Sequence, residues 1–250
     1  MEYFFYGIRT VIQNECIHFL SSHINQSIMV ITFGNQKGGV GKTTLCTLFA
    51  SYLAEKGKKT LVVDCDNQQT ISEKRMMDKK KYPDTKVPYL VQAFDIGNMD
   101  NVSKMMQAIQ SMDGMVLIDS PGNLTQQGLI PIFLKSDYVV CPFQYEPTSI
   151  NSTVTFIVFL MRLKEKFPKM KAELFFVVNK HDKRYGKKHE LELWAKTEDS
   201  FSHYGHIAPK VESKIDMQRY NTMGINQEQR GIISPTFDFI FNKIFGEEKR

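Results

Sequence analysis

Cysteine is scarce in this chain: four in 250 residues, at Cys16, Cys46, Cys65 and Cys141. They lie far apart and form no C-x-x-C pair, which argues against a structural zinc and for a reducing compartment. Apolar runs are short, and none reaches the ~18 residues of a membrane span. A basic start followed by a long apolar stretch, the mark of a secretory signal, is also missing from the first residues. The expected location is therefore the cytoplasm. Charge is only slightly one-sided, with 32 Lys and Arg against 27 Asp and Glu and a net charge of +5. That is a mild lean toward a polyanionic partner. With 42% hydrophobic and 24% charged residues, the chain has an ordinary globular composition and is long enough for one α/β domain with a sizeable core.

What the sequence does have is one stretch around which the rest is organised: Asn35-Gln36-Lys37-Gly38-Gly39-Val40-Gly41-Lys42-Thr43-Thr44. An apolar run, Ile28 to Phe33, precedes it, and a helical pattern from Leu45 to Lys56 follows. Strand, glycine-rich loop and helix form the setting of a phosphate-binding loop. Glycines let such a loop curl and aim several backbone N–H groups at one anion, and the helix adds its positive end. Lys42 is placed to reach the β- and γ-phosphates and the Thr43 hydroxyl to hold Mg²⁺. Two more apolar runs end in acids. Leu61-Val62-Val63 leads into Asp64-Cys65-Asp66, and Met115 to Ile118 leads into Asp119-Ser120-Pro121-Gly122. Acids at the carboxyl ends of parallel strands stand where ligands bind in such sheets, and Asp119 fits the carboxylate that holds a water on Mg²⁺. A further strand, Leu174 to Val178, runs into Asn179-Lys180-His181-Asp182, which matches the N-K-x-D pattern by which GTPases read guanine. These readings make the nucleotide-binding residues Gly38, Gly39, Val40, Gly41, Lys42, Thr43, Thr44, Asn179 and Asp182.

The loop departs from G-x-x-x-x-G-K-[ST], because Gln36 replaces its first glycine and Lys37 stands five places before Lys42. Lys-Gly-Gly-Val-Gly-Lys-Thr-Thr resembles the deviant Walker A motif of the ParA/MinD ATPases. The resemblance covers roughly residues 28 to 245 and implies a doubly wound, mostly parallel sheet with helices on both faces. It implies Mg²⁺-dependent ATP hydrolysis in a nucleotide-sandwiched homodimer, with Lys37 touching the nucleotide of the other subunit. Asp64-Cys65-Asp66-Asn67-Gln68 is similar to the family's D-x-D-P-Q segment. By that match Asp66 orients or deprotonates the attacking water and Asp64 supports the Mg²⁺ shell, so the catalytic set is Lys37, Lys42 and Asp66 and the metal set Thr43, Asp64 and Asp119. The family also places an asparagine at position 179, on the adenine amino group. The signature lysine and the D-x-D segment favour ATP over GTP. The cluster cysteines of the related nitrogenase iron protein have no counterpart, so no iron–sulfur cluster is expected. A ParB-like adaptor is implied as a partner in DNA partitioning. The alternative is a MinD-like or conjugation-associated switch that positions a membrane or protein cargo.

The rest of the chain yields coarser expectations. Residues 1–27 read as an extension before the nucleotide-binding domain at 28–250, with an amphipathic helix near Ile8 to Leu20. Residues 70–88 read as a helix with a solvated lysine-rich face, then a loop; Tyr89 to Phe94 as an extra strand; Val102 to Ile109 as a helix; Ser136 to Pro142 as a strand that buries Cys141. Pro147 to Lys166 reads as one long helix burying Val154, Ile157, Val158, Met161 and Leu163. Lys183, Arg184, Lys187, Lys188, Lys210, Lys214 and Arg219 would bind DNA phosphates without reading sequence if they share a face. The last apolar positions, Phe237, Ile240, Phe241, Ile244 and Phe245, fall on one helical face. The polar side of that helix is not basic, so it is expected to pack on the body rather than on a membrane.

Overall fold

In a computed structural model the described residues are 28–184 and 186–246. The N-terminal extension and its expected helix lie outside them. Seven strands form one sheet in the order β3-β2-β4-β1-β5-β6-β7, and every pairing is parallel. They are β1 (Met29–Phe33), β2 (Thr60–Asp64), β3 (Leu90–Ala93), β4 (Met115–Asp119), β5 (Tyr138–Phe143), β6 (Glu173–Val178) and β7 (His206–Ile207). The helices between them are α1 (Lys42–Glu55), α2 (Thr70–Lys81), α3 (Met99–Ile109), α4 (Leu129–Lys135), α5 (Pro147–Lys166) and α6 (Lys188–Ser202), with α7 (Gln227–Phe245) last.

The strands are apolar end to end because both faces of the sheet are covered. Alternate residues of β1 enter different cores: Val30 joins one face, Ile31 and Phe33 the other. The first core is closed by α3, α4, α5 and α6, through residues such as Met106, Phe133, Phe156 and Phe201. The second is closed by α1, α2 and α7, through Leu45, Phe49, Ile71 and Phe237. In α7, Phe237 and Ile240 are fully buried, and Phe237 meets Phe49 edge-on at 4.9 Å. This helix does pack on the body, and it starts ten residues before Phe237.

Two expectations need correction. Helix α5 has the expected ends, but the stripe it buries is rotated. Ile157 and Leu163 are inside together with Thr153, Phe156 and Leu160, whereas Val154, Val158 and Met161 are 42–48% exposed. The apolar pattern is broad enough to allow either face, and the contact with Phe133 selects the one bearing Phe156. In helix α2 the lysines at 79, 80 and 81 are exposed as expected, but Arg75, a charge expected on the same solvated face, is not. Arg75 is buried, donating from Nη2 to the Thr222 carbonyl at 2.9 Å and from Nη1 to the Tyr89 carbonyl at 2.6 Å. The Asp78 carboxylate accepts from the Thr222 amide at 2.7 Å. A buried guanidinium is tolerable only when its donors are matched in this way.

Candidate functional site

The register gathers the site. Phe33 of β1 and Asp64 of β2 both pair with Asp119 of β4, so the carboxyl ends of the three strands are level. The glycine-rich loop leaves β1 there and runs into α1. Asn35 fixes the base of the loop by donating to the Pro142 carbonyl at 2.8 Å and the Thr153 hydroxyl at 2.9 Å. Gly39 and Gly41 have φ of 75° and 101°, in the left-handed region that favours glycine. A Cβ on Gly41 would lie 2.1 Å from Nδ2 of Asn179. That nitrogen donates to the Val40 carbonyl at 2.7 Å, and Lys180 Nζ donates to the Gly39 carbonyl at 2.8 Å. The loop after β6 thus braces the phosphate loop.

Lys42 is 7% exposed and donates to the Lys37 carbonyl at 3.2 Å. Burial lowers its pKa, while Asp119 and Asp66 act against the shift. A Cβ on Gly122 would come within 3.0 Å of the Gln36 carbonyl and 3.5 Å of the Lys42 ammonium. The loop after β4 therefore comes up against the lysine. Lys37 reaches away from the loop: its Nζ donates to the Thr148 hydroxyl at 2.7 Å at the start of α5. That hydroxyl in turn donates to Glu146 at 2.6 Å, and the bond holds the glutamate below its usual carboxylate range.

Asp119 is fully buried, and neither of its carboxylate oxygens has a hydrogen-bond partner. Burial raises its pKa to about 7, against the pull of the nearby Thr43 hydroxyl. An orphaned buried carboxylate beside a hydroxyl and an ammonium suits a bound divalent cation. Among the described residues no group of three or more His, Cys, Asp or Glu could hold a metal ion. Mg²⁺ is commonly held by one or two carboxylates plus substrate phosphates, so Thr43 and Asp119 fit it. Asp64 is engaged otherwise: its Oδ2 accepts from the amides of Ile71 and Ser72, both at 3.0 Å, and so closes the start of α2. Its Oδ1 is orphaned. Asp66, half-buried, accepts from the Gln68 amide at 3.1 Å.

Four of the basic residues expected to meet DNA lie around the loop after β6, where Lys183 and Lys210 both act on His181 and Arg184 and Lys214 both act on Asp182. Asp182 is ion-paired with Arg184, which lowers its pKa to about 2. Lys183 and Lys214 both face Glu212, and Lys210 faces Glu198. Arg219 ends a short 3-10 helix, Ile215–Arg219, whose neighbour Tyr220 lies under Lys74 of α2. Asn35, Thr148 and Lys180 escaped the sequence reading. Lys180 lies inside the N-K-x-D pattern and could have been found there. Thr148 is 111 residues from Lys37, and no local pattern announces it.

Comparison with known proteins agrees with this architecture. Residues 31–213 match the family described as the CobQ/CobB/MinD/ParA nucleotide binding domain. Maintenance of carboxysome distribution protein A of Halothiobacillus neapolitanus is 28% identical over 155 residues, 62% of this chain and 67% of that protein. The chromosome-partitioning ATPase Soj of Treponema pallidum is 57% identical over 42 residues, 17% of each chain. The chain thus spans about two thirds of one of these curated relatives and a sixth of the other. A putative plasmid partition protein of Borrelia burgdorferi, solved with AMPPNP, superposes with a TM-score of 0.63 at 17% identity, covering 86% of this chain and 99% of that one. With a seven-stranded parallel sheet, a glycine loop braced by Asn179 and a family match over most of its length, this chain belongs to the CobQ/CobB/MinD/ParA nucleotide-binding domain family.

Proposed function

We propose that this protein is a Mg²⁺-dependent ATPase that dimerises on ATP and works as a switch in DNA partitioning. The observation that carries the reading is the buried, unpartnered carboxylate of Asp119 beside a loop with lysines at both 37 and 42. Lys42 and the loop amides neutralise the phosphates. Thr43 and Asp119 would hold Mg²⁺, through the hydroxyl and through a water on the carboxylate. The ion, when bound, offsets charge on the phosphate oxygens. Asp66 orients the attacking water and accepts its proton. Lys37 leaves Thr148 and reaches the nucleotide of a second copy, where it stabilises charge on the β/γ bridge. Hydrolysis then releases the dimer. An adaptor of the ParB kind sets the timing, and slow turnover without it suits a switch.

A second cargo class has an observation in its favour. Four of the seven basic residues expected to meet DNA already face carboxylates, which suits a switch acting on a protein cargo. The relative from Halothiobacillus, named for carboxysome distribution, points the same way. The experiment is DNA binding with ATP, ADP or no nucleotide across a salt series, alongside dimerisation by light scattering and a Lys37→Ala variant. Binding that needs ATP, weakens with salt and disappears in the variant supports partitioning. ATP-dependent dimers without DNA binding support the protein or membrane cargo, and the next arm is liposome flotation. Absence of ATP-dependent dimers in the wild type sinks the switch itself.

A further inference from the structure

Helix α2 is docked chiefly by polar groups. Ile71 is the apolar side chain it buries, and its other buried residues are Arg75 and Asp78. Met76 and Met77 are 61% exposed. Apolar contact is non-directional, whereas hydrogen bonds fix distance and angle. The place of α2 is therefore set by what Arg75 and Asp78 grip.

Both grip Thr222, in the stretch between the 3-10 helix and α7. Arg75 donates from Nε to the Thr222 hydroxyl and from Nη2 to the Thr222 carbonyl, each at 2.9 Å. Asp78 Oδ2 accepts from the Thr222 amide at 2.7 Å and from its hydroxyl at 2.9 Å. Every polar group of this fully buried threonine is thus matched by α2. The guanidinium also lies over the Tyr89 ring at 4.4 Å, with Nη1 on the Tyr89 carbonyl.

The same groups lead back to the phosphate loop by two routes. The Tyr89 hydroxyl donates to the Thr47 carbonyl at 3.4 Å, and the Thr47 hydroxyl to the Thr43 carbonyl at 2.8 Å. Two residues before Thr222, the Tyr220 hydroxyl is hydrogen-bonded to Thr44, and Lys74 Nζ lies 4.9 Å over the Tyr220 ring. At its start, α2 grows out of the turn that carries Asp66. The Gln69 amide donates to the Asp66 carbonyl at 2.9 Å and the Gln68 amide to its carboxylate. Asp64 joins the end of β2 to the same helix start.

We propose that Arg75, Asp78 and Thr222 are positioning residues for ATP hydrolysis: their clamp holds α2, and with it the Asp66 turn, in place against the phosphate loop. They act through Asp66 rather than on the nucleotide. The inference rests on the ATPase reading given above and adds the groups that set its water-orienting acid.

The test compares Thr222→Val, which keeps the shape and removes the hydroxyl from both partners, with Thr222→Ser, which keeps the hydroxyl. Three quantities are measured on the full chain: the single-turnover rate of ATP hydrolysis, ATP affinity by titration calorimetry, and hydrogen exchange at the Gln68 and Gln69 amides without nucleotide. Thr222→Val is expected to slow hydrolysis on the order of 10- to 100-fold, the cost of a small misplacement of a reacting group. It should speed exchange at both amides and leave ATP affinity as in the wild type, and Thr222→Ser should restore rate and exchange. If Thr222→Val does not fold, Arg75→Lys carries the same readouts, since it keeps the charge and loses the fork. Unmoved exchange at Gln68 and Gln69 in a folded variant, or an ATP affinity that falls in step with the rate, overturns the clamp and leaves the ATPase reading standing. A wild type that binds no ATP overturns that reading, and the clamp's role falls with it.

Discussion

Asp119 carries the clearest consequence at the scale of single residues. Its pKa is raised by burial from 3.8 to about 7. The folded protein therefore keeps a proton there that the unfolded chain releases, and the associated stability is full below pH ~4 and lost as pH rises through ~7. At about 1.4 kcal/mol per pKa unit the swing is on the order of 4 to 5 kcal/mol. Asp119→Asn should lack it. Thermal unfolding of nucleotide-free protein at pH 5 and pH 8 checks this: wild type should lose more melting temperature between the two than the variant does, and equal losses would refute it. Lys42 makes a second residue-scale case. It opens α1 directly after the glycine loop, so Lys42→Ala should weaken ATP binding at least ~100-fold by titration calorimetry, in line with hydrogen bonds and charge removed from a buried anion site. The fold should survive, because the lysine's burial lowers its own pKa and so opposes its charge.

Elements connect the site to the body. Helix α2 has no side-chain cap of its own, and Asp64 serves instead from the end of β2. Asp64→Ala should cost about 1–2 kcal/mol in chemical denaturation, the usual worth of a lost cap. It should also speed hydrogen exchange at the Ile71 and Ser72 amides ahead of the rest of α2; uniform exchange along the helix would count against the cap. In α5 the buried and exposed apolar positions can be told apart by mutation. Phe156→Ala should cost about 3–5 kcal/mol and Val158→Ser less than about 0.5 kcal/mol. The reverse order would mean that the helix is rotated as its sequence pattern alone suggested. That pattern had the ends of α5 right, because Pro147 starts it and the apolar positions persist to Leu163. It could not choose a face, since Val154, Val158 and Met161 are as apolar as the residues inside. Helix α6 was not foreseen at all. It buries only Thr197 and Phe201 and presents exposed Leu191 and Leu193, so its periodicity carries little signal.

At the scale of the whole molecule, no helix among the described residues is long and apolar enough to cross a membrane. Much of the positive charge expected to meet DNA is already matched by acids nearby. Lys183, Arg184, Lys210 and Lys214 lie against acids. Each phosphate neutralised adds about 0.9 to the steepness of the salt dependence. If the protein does bind DNA, the slope of log affinity against log salt should therefore be shallow, no steeper than about −3. A slope near −6 would mean that the acids move away and the basic residues gather on one face when the dimer forms.

The sequence by itself determined the fold class, the phosphate loop and the acids at the strand ends. These are local signals: glycines beside a lysine and threonine, and apolar runs ending in carboxylates. It also determined the body-packed C-terminal helix, through the spacing of its aromatic residues. Only the tertiary structure decided which partners those groups have. It turned Asp64 to the amides of α2, set Lys37 on Thr148, buried Arg75 against Thr222 and Tyr89, and left Asp119 with no partner. All but the Asp64 bonds, which span seven and eight residues, depend on groups far apart in the chain or on the register that levels β1, β2 and β4. Burial and hydrogen-bond supply are properties of the packed sheet, and a one-dimensional pattern does not contain them.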